Sequence, residues 1–263
     1  MSECGEGASL SRRGEVAIIA FTPARDGTIS NKGAAALAEI VEGELANGAV
    51  RALILTGARE GIFIRHASLA QIARAAGAVA SGAATAGDFA GSPFARLGTM
   101  LDTATKPVIA AINGDCMGGG FEIALACTMR IAAAAVRAIG LPEIRIGIPP
   151  GAGGPQRLGR LIGQHRARLF TLDGTVLDAS RAHALGLVDA IAEDALAAAI
   201  KRAEVLGGRC PVAVAEIMLQ MRPADADLIE DNIRGFARCI GKQGAAERLV
   251  ELASKDVAIE RLA

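Results

Sequence analysis

The chain alternates short, β-branched apolar runs with longer segments of helical periodicity, and this alternation restricts its fold class more than any other feature. Residues 15–22 (EVAIIAFT) and 51–57 (RALILTG) are bounded apolar runs that predict buried strands. Between them, residues 31–47 carry apolar side chains at helical spacing, with Asn31 as a candidate N-cap. Strand, helix and strand in this order predict a βαβ unit, and hence a sheet with at least some parallel pairing.

The later chain continues this pattern and then becomes helical. Residues 107–113 (PVIAAIN) and 129–134 (MRIAAA) predict two more buried strands, separated by a helix over residues 119–127. Residues 141–154 are punctuated by Pro and Gly and predict turns, and beyond Gly154 the periodicity is helical almost throughout. We therefore expect an α/β core over residues 1–195 and a helical extension of the same domain over residues 196–263.

Composition excludes several classes of protein. Hydrophobic residues make up 51% of the 263 residues, so the chain can bury a large core. Lys+Arg and Asp+Glu balance at 28 each and aromatic residues total 3%, which argues against nucleic acid and membrane surfaces as partners. Five cysteines without a CxxC pair indicate reduced thiols, and no apolar run reaches membrane-spanning length. We expect a soluble, cytoplasmic protein.

One segment, residues 76–93 (AGAVASGAATAGDFAGSP), is dense in Gly, Ala and Ser. It predicts either a flexible surface loop or a mobile lid over a ligand site, and the sequence leaves both interpretations open.

Three consecutive glycines, Gly118, Gly119 and Gly120, stand between a predicted strand and a predicted helix. Glycine there lets another group approach bare backbone N–H donors, and the helix N-terminus adds unsatisfied donors and a positive dipole end. The segment therefore suits an anion or a developing oxyanion. Tight packing between helix and strand explains a glycine run equally well. The spacing matches neither a dinucleotide-binding fingerprint nor a phosphate-binding loop.

Two isolated acids, Glu122 and Glu143, lie in apolar surroundings just after predicted strands. Each could simply compensate a helix dipole. Ligands of α/β sheets gather at the carboxyl ends of strands, however, so a pair of partly buried carboxylates beside an oxyanion site also suits acid/base chemistry next to a carbonyl.

Other catalytic constellations are weaker. His66, His165 and His183 lack metal-ligand spacing and are expected to be surface or capping histidines, so we predict no metal site. No GxSxG motif is present.

The central segments resemble a known family. KPVIAAINGDCMGGGFEIALAC (residues 106–127) and LPEIRIGIPPGAGGPQRLGRLIG (residues 141–163) are similar to the signature region of the crotonase superfamily, the enoyl-CoA hydratase/isomerase proteins. The spacing of 21 residues between Glu122 and Glu143 agrees with that family. Weaker similarity extends from about Gly14 to Lys255 and includes GLVDAIAE (residues 186–193) and KQGAAERLVELASK (residues 242–255).

This resemblance implies a crotonase-like α/β spiral of ββα units with a helical C-terminal trimerisation region, assembled as a homotrimer or a dimer of trimers. It implies an acyl-CoA thioester as substrate, with coenzyme A as part of the substrate and no separate cofactor. It places an oxyanion hole at the backbone N–H groups of Ala67 and Gly119. It also places two proton-exchanging glutamates at Glu122 and Glu143, which favours hydration of a 2-enoyl-CoA.

The segment FIRHASL (residues 63–69) departs from the usual family form, because His66 stands where the family has Gly and Ser68 where it often has Asp. The donor at Ala67 is backbone, so these side chains need not abolish it, and His66 could instead project into the acyl site and change specificity. By resemblance we expect substrate contacts at Arg25, His66, Ser68, Leu69, Gly118, Leu141, Pro142 and Gly151.

Three alternatives remain at this level. The first is another crotonase-family acyl-CoA reaction: isomerisation, thioester hydrolysis or C–C bond hydrolysis. The second is a non-catalytic family member that binds CoA or RNA. The third is a nucleotide-dependent α/β enzyme, although no phosphate loop is found.

Overall fold

The computed structural model describes residues 5–223, 226–242 and 244–255. Within these ranges the strands form two sheets, one six-stranded and one four-stranded. The strands are β1 (Gly7–Arg13), β2 (Val16–Thr22), β3 (Ala52–Gly57), β4 (Gly61–Ile64), β5 (Val108–Ile112), β6 (Gly114–Met117), β7 (Met129–Ala133), β8 (Ile139–Gly140), β9 (Val176–Leu177) and β10 (Ala190–Ala192). Cys4 and residues 256–263 of the predicted helical extension lie outside the described residues.

The larger sheet has the order β1-β2-β3-β5-β7-β10. All its pairs are parallel except β1 with β2, which is a hairpin turned at Arg13–Val16. Strands β3 and β5 are buried at every residue, as continuous apolar runs in a covered parallel sheet should be. The predicted βαβ unit and the four predicted strands are confirmed.

The smaller sheet has the order β4-β6-β8-β9, with β4, β6 and β8 parallel. Strands β3, β5 and β7 belong to the larger sheet, and each is followed in the chain by a strand of the smaller sheet, β4, β6 or β8. A helical segment follows each of these pairs of strands. This is the expected spiral of ββα units. It matters for function because β4, β6 and β8 end side by side, and ligands of parallel sheets bind at carboxyl ends of strands.

Helices surround the two sheets. They are α1 (Asn31–Ala46), α2 (Leu69–Ala80), α3 (Ala86–Ala90), α4 (Pro93–Asp102), α5 (Gly119–Ala126), α6 (Gly154–Ile162), α7 (Gln164–Leu172), α8 (Ala179–Ala184), α9 (Ala195–Gly207), α10 (Pro211–Gln220), α11 (Ala226–Ile240) and α12 (Ala245–Ser254). Several begin at side-chain caps, among them Ser30, Asp178 and Asp194. The cap of α1 is thus Ser30, one residue before the predicted Asn31.

The segment of residues 76–93 is partly helical. Its first residues complete α2, and α3 lies in its middle, capped by Thr85 and Asp88. Alanine is the strongest helix former, so an Ala-rich stretch with buried neighbours takes helical structure despite its glycines. The interpretation as a loop is therefore wrong for the parts within α2 and α3, whereas the interpretation as a mobile lid stays a prediction.

The C-terminal helices return to cover the core. Helix α12 packs against α2, and α11 packs against α2 and α3. A small apolar cluster joins them, with Leu69, Ala76, Ile146, Ile240 and Leu249 among its buried members. None of the helices in the described ranges is long and apolar enough to cross a membrane.

Candidate active site

An open cavity of about 910 Å³ lies where the parallel strands β4, β6 and β8 end. The segment after β4 contributes His66 and Ala67, the segment after β6 contributes Gly118 and Gly119, and Pro142 follows β8. Backbone bonds keep the three segments in register, with the Met117 N–H donating to Arg65 at 3.0 Å and the Gly118 N–H to Gly140 at 2.9 Å. The sheet therefore brings three sequence-distant segments to one wall.

The three glycines have different roles. Gly118 has φ +49° and ψ −130°, a conformation that residues with a Cβ rarely adopt. A Cβ on Gly120 would lie 2.0 Å from the carbonyl oxygen of Ile64, so this glycine permits α5 to lie directly on β4. The packing interpretation of the glycine run therefore holds at Gly120, whereas the oxyanion interpretation stays a prediction.

Gly119 and Ala67 form the candidate oxyanion hole. A Cβ on Gly119 would lie 3.2 Å from the Cβ of Ala67, so the two backbones face each other across the cavity wall. Neither N–H donates to an acceptor among the described residues, whereas the Ser68 N–H donates to Ile29 and the Ile29 N–H to His66. Gly119 also begins α5, where the helix dipole favours negative charge. Two unsatisfied donors side by side can stabilise a developing oxyanion.

Glu122 is buried in the first turn of α5, with 3% of its surface exposed. Its Oε1 accepts two backbone N–H groups, from Ala152 and Gly154, each at 2.8 Å. Burial raises the pKa of the Glu122 carboxyl, while these N–H donors and the charge of Arg157 oppose that rise. A carboxylate that receives two backbone donors is favoured in its ionised form.

Glu143 begins a 3-10 helix, Glu143–Ile146, directly after Pro142. Its Oε2 is shielded from solvent and has no hydrogen-bond partner among the described residues. Burial, and secondarily the charge of Glu122, raise the pKa of Glu143 well above its usual range. The two carboxyls therefore differ in surroundings, and Glu143 is the one favoured to keep a proton.

His66 is not the surface or capping histidine that the isolated sequence pattern suggests. It is buried, it lines the cavity, and its Nδ1 donates to the Ala67 carbonyl oxygen at 2.9 Å. The expectation of a histidine surface position is wrong because the segment after β4 is bonded to β6 and to Ile29, which places His66 in the cavity wall. The alternative expectation, that His66 projects into the ligand site, agrees with its place in the cavity wall.

Most of the predicted contacts line the cavity: His66, Ser68, Leu69, Gly118, Pro142 and Gly151, together with both glutamates and both donors. Arg25 is exposed and is not in the cavity wall, so a contact with substrate there stays a prediction. Leu141 is fully buried in the main core and does not reach the cavity. We therefore remove Leu141 from the proposed substrate contacts, because its side chain points to the apolar interior that anchors β8.

Sequence reasoning missed the far walls of the cavity. Phe89 from α3 and Phe236 from α11 form an edge-to-face pair, with ring centroids 6.1 Å apart. Asn31 and Gln71 add a polar edge, where the Gln71 Oε1 accepts the Asn31 N–H at 2.7 Å. These residues come from helices distant in the chain. Aromatic residues make up only 3% of the sequence, and this rarity was the one signal that could have pointed to the two Phe residues as cavity-wall candidates.

No group of His, Cys, Asp or Glu within residues 5–223, 226–242 and 244–255 is arranged to hold a metal ion.

Known proteins resemble this chain in sequence and in fold. A family model for enoyl-CoA hydratase/isomerase matches residues 12–240. The chain belongs to the enoyl-CoA hydratase/isomerase family. The predicted membership and the spiral α/β fold are thereby confirmed. Since this family includes both hydratases and isomerases, membership alone does not select the reaction.

Two curated members of the family illustrate the range of similarity. The chain is 35% identical over 212 residues to the short-chain-enoyl-CoA hydratase of Clostridium acetobutylicum, covering 78% of this chain and 77% of that protein. It is 51% identical over 96 residues to the enoyl-CoA isomerase/hydratase fer4 of Mycosarcoma maydis, and this match spans only 35% of either chain.

A solved structure of the family has the same fold. The human mitochondrial delta3-delta2-enoyl-CoA isomerase superposes with a TM-score of 0.82 over 94% of this chain and 97% of that one, at 23% identity. At that identity the likeness shows the fold alone.

Proposed function

We propose that this family member hydrates a 2-enoyl-CoA thioester. The observation that supports this most is the pairing of two unlike carboxyls, Glu122 and Glu143, on one cavity beside the unsatisfied N–H groups of Ala67 and Gly119. Hydration needs a base for water, a proton donor for carbon and a stabilised enolate between them. The relative named as a short-chain-enoyl-CoA hydratase supports the same reaction.

The oxyanion hole would receive the thioester carbonyl oxygen. When water adds to C3, the electron pair of the C2–C3 double bond moves toward the thioester and leaves negative charge on that oxygen. The Ala67 and Gly119 donors stabilise this charge more than the neutral carbonyl, which lowers the barrier. The start of α5 adds its dipole in the same direction.

The two carboxyls would divide the proton transfers. Glu122, held by two backbone N–H groups, is the base that takes a proton from water as the water oxygen bonds to C3. Glu143, protonated, gives its proton to C2 and restores the carbonyl. Water is thus added across the double bond, and the proton on Glu122 must return to Glu143 through solvent exchange before the next turnover.

Isomerisation of an enoyl-CoA is the second candidate. It uses the same oxyanion hole but requires only one group that takes a proton from one carbon and returns it to another. Glu143, whose Oε2 has no partner among the described residues, suits that role. The fer4 relative is named for both reactions, which supports keeping this candidate.

The test is loss of the conjugated enoyl-thioester absorbance with crotonyl-CoA and with a longer 2-enoyl-CoA. Glu143→Gln serves as the control, and mass spectrometry identifies the product. A Glu143-dependent gain of one water supports hydration. No reaction of either 2-enoyl-CoA, together with conversion of a separately supplied 3-enoyl-CoA to a 2-enoyl-CoA without water uptake, would replace hydration by isomerisation.

Coenzyme A would enter as part of the substrate, with no separate cofactor, and a cytoplasmic location stays a prediction.

A homotrimer or dimer of trimers is likewise a proposal. Support comes from α10, which has no buried residue in this single chain and exposes Val212, Ile217 and the following Met221. Sedimentation at equilibrium would test it.

A further inference from the structure

Behind Glu122, on the side away from the cavity, lies a buried ion pair between Arg157 and Asp102. Arg157 stands in the first turns of α6, and Asp102 is the last residue of α4. Arg157 Nη2 and Nε contact the same Asp102 oxygen, Oδ2, at 2.7 and 2.9 Å. The two side chains are 2% and 9% exposed. A buried ion pair usually stabilises a fold no more than apolar residues of the same volume would. Stability alone therefore does not explain this pair, which suggests a role in the site.

The pair is connected to Glu122 through one residue, Ala152. Arg157 Nη1 donates to the carbonyl oxygen of Ala152, and the Ala152 N–H donates to Glu122 Oε1 at 2.8 Å. The Gly154 N–H, at the start of the same helix, makes the second bond to that oxygen. The guanidinium thus holds the loop that supplies both backbone donors to Glu122.

The neighbouring glycines leave space for the Arg157 guanidinium in its observed position. A Cβ on Gly98 would lie 2.8 Å from Arg157 Nη2, and a Cβ on Gly153 would lie 2.9 Å from Nη1. Side chains at either position would force the fork out of contact with Asp102 or Ala152. The site is therefore shaped around an arginine, whose planar fork can contact both partners at once.

We propose that Arg157 and Asp102 act as a positioning pair that keeps Glu122 ionised while Glu143 keeps its proton. The Arg157 cation stabilises the Glu122 anion by its charge and by holding Ala152, whose N–H donates to Glu122, whereas Asp102 fixes and partly neutralises that cation. Neither residue lines the cavity. The consequence for turnover rests on the proposed function, but the effect on the charge of Glu122 does not.

Other charged groups stand on the elements that pack against α5, or line the cavity with it, and must be considered. They are Arg157 and Arg160 from α6, Asp102 from α4, Asp115 on β6, Arg130 on β7, and Glu143 and His66 at the cavity. Arg130 is engaged by Asp189, and Asp115 by Arg65. Arg157 is the cation that contacts the Glu122-binding loop itself.

The experiment is a carboxyl titration of Glu122 by carbon-13 NMR of the full chain, in a Glu143→Gln background that removes the coupled partner. Absence of the signal in Glu122→Gln assigns it. Arg157→Gln should raise the pKa of Glu122 by about one unit or more, because a nearby cation is lost. Arg157→Lys, which keeps the charge, should raise it by less than half of that amount. The matched control, Arg160→Gln, removes the more exposed partner of Asp102 and should leave the titration unchanged.

Two further results separate charge from folding. If Arg157→Gln does not fold, the neutral double variant Asp102→Asn/Arg157→Gln replaces it, and its Glu122 pKa should still lie above that of the Glu143→Gln parent. An unchanged Glu122 pKa in folded Arg157→Gln, or in the double variant, would overturn the proposal, as would equal shifts in Arg157→Lys and Arg157→Gln.

The titration needs no substrate, so it separates this proposal from the proposed function. If the Glu122 pKa shifts as expected but the protein hydrates no 2-enoyl-CoA, the positioning role is supported and the proposed hydration is wrong. If the protein hydrates a 2-enoyl-CoA but the Glu122 pKa does not shift, only the positioning role is wrong. With active enzyme, the acid limb of the kcat profile of Arg157→Gln, measured with Glu143 intact, should move toward higher pH.

Discussion

Gly118 and Glu143 approach so closely that a Cβ on Gly118 would lie 3.1 Å from Glu143 Oε1. The two residues follow different strands, β6 and β8, and meet because the Gly118 N–H donates to the Gly140 carbonyl oxygen beside them. Beside Glu143 Oε1 the wall of the cavity is therefore formed by the backbone of Gly118, and a side chain at position 118 would crowd this carboxyl.

The close approach predicts that Gly118→Ala damages the site more than the fold. The new methyl group would crowd Glu143, and the positive φ adds about 1–3 kcal/mol of strain. We expect kcat to fall by at least about 100-fold while the protein stays folded at 25 °C. Gly147→Ala is the matched control, since Gly147 also has positive φ (+82°) but nothing within 4 Å of its Cβ position. Equal activity of the two variants would contradict the prediction.

Removing either carboxylate should remove turnover but leave binding. Glu122→Gln and Glu143→Gln keep side-chain volume, and each is expected to lower kcat by about 100- to 10,000-fold. Affinity for an unreactive acyl-CoA, measured by calorimetry, should change little because neither variant alters the N–H donors of Ala67 and Gly119. Near-normal kcat in either variant would rule out the two-carboxyl mechanism.

Stability should depend on pH through Glu143. Its pKa lies well above the ordinary value of 4.5, so the folded chain holds this proton more tightly than the unfolded chain. The free energy of unfolding therefore falls as pH rises from that value toward the folded pKa. Glu143→Gln lacks this loss and should be more stable than the parent by about 1–3 kcal/mol at about pH 8, with no gain below about pH 4.

Urea unfolding across that range measures the effect. Glu60→Gln, at an exposed turn position, serves as the control and should show no such dependence. A constant difference between parent and Glu143→Gln at every pH would exclude proton linkage as its cause.

The Phe89–Phe236 pair in the cavity wall should limit the length of the acyl chain that the cavity accepts. Phe236 packs against Gly151, where a Cβ would lie 2.7 Å from its ring, and meets Phe89 across the cavity. Phe236→Leu should increase kcat/KM for an eight-carbon relative to a four-carbon enoyl-CoA by about ten-fold. Phe170→Leu, in α7 away from the cavity, is the matched control and should leave the preference unchanged. An unchanged chain-length preference in Phe236→Leu would mean that other residues of the cavity determine which acyl chains are accepted.

His66 should affect specificity more than chemistry. The oxyanion donor is the Ala67 backbone, which remains in His66→Gly, so we expect kcat with the best substrate to stay within about ten-fold of the parent. The space opened beside Gly118 should favour acyl groups branched near the thioester. Comparison of kcat/KM for branched and linear enoyl-CoA esters measures this. Complete loss of activity in a folded variant would instead place His66 in the proton transfers.

Local patterns predicted the long elements well. Strands β3 and β5 lie in the middle of a covered parallel sheet and are buried at every residue, so their continuous or nearly continuous apolar runs identify them. Strands β2 and β7 are mostly apolar and were predicted in the same way. Strand β1 was not predicted, because it lies at the sheet edge and its residues are mostly exposed. Strands β8 and β9 have two residues each, too few for any period to show.

The amino-acid sequence by itself determined the family, the α/β class, and the Gly119, Glu122 and Glu143 positions, because these depend on short motifs at fixed spacing. Only the tertiary structure decided what surrounds them. The unlike environments of the two carboxyls, the Arg157–Asp102 pair behind Glu122 and the Phe89–Phe236 wall all join residues far apart in the chain. Burial and charge act through space, so their effect on a carboxyl follows from its neighbours in the fold rather than in the sequence.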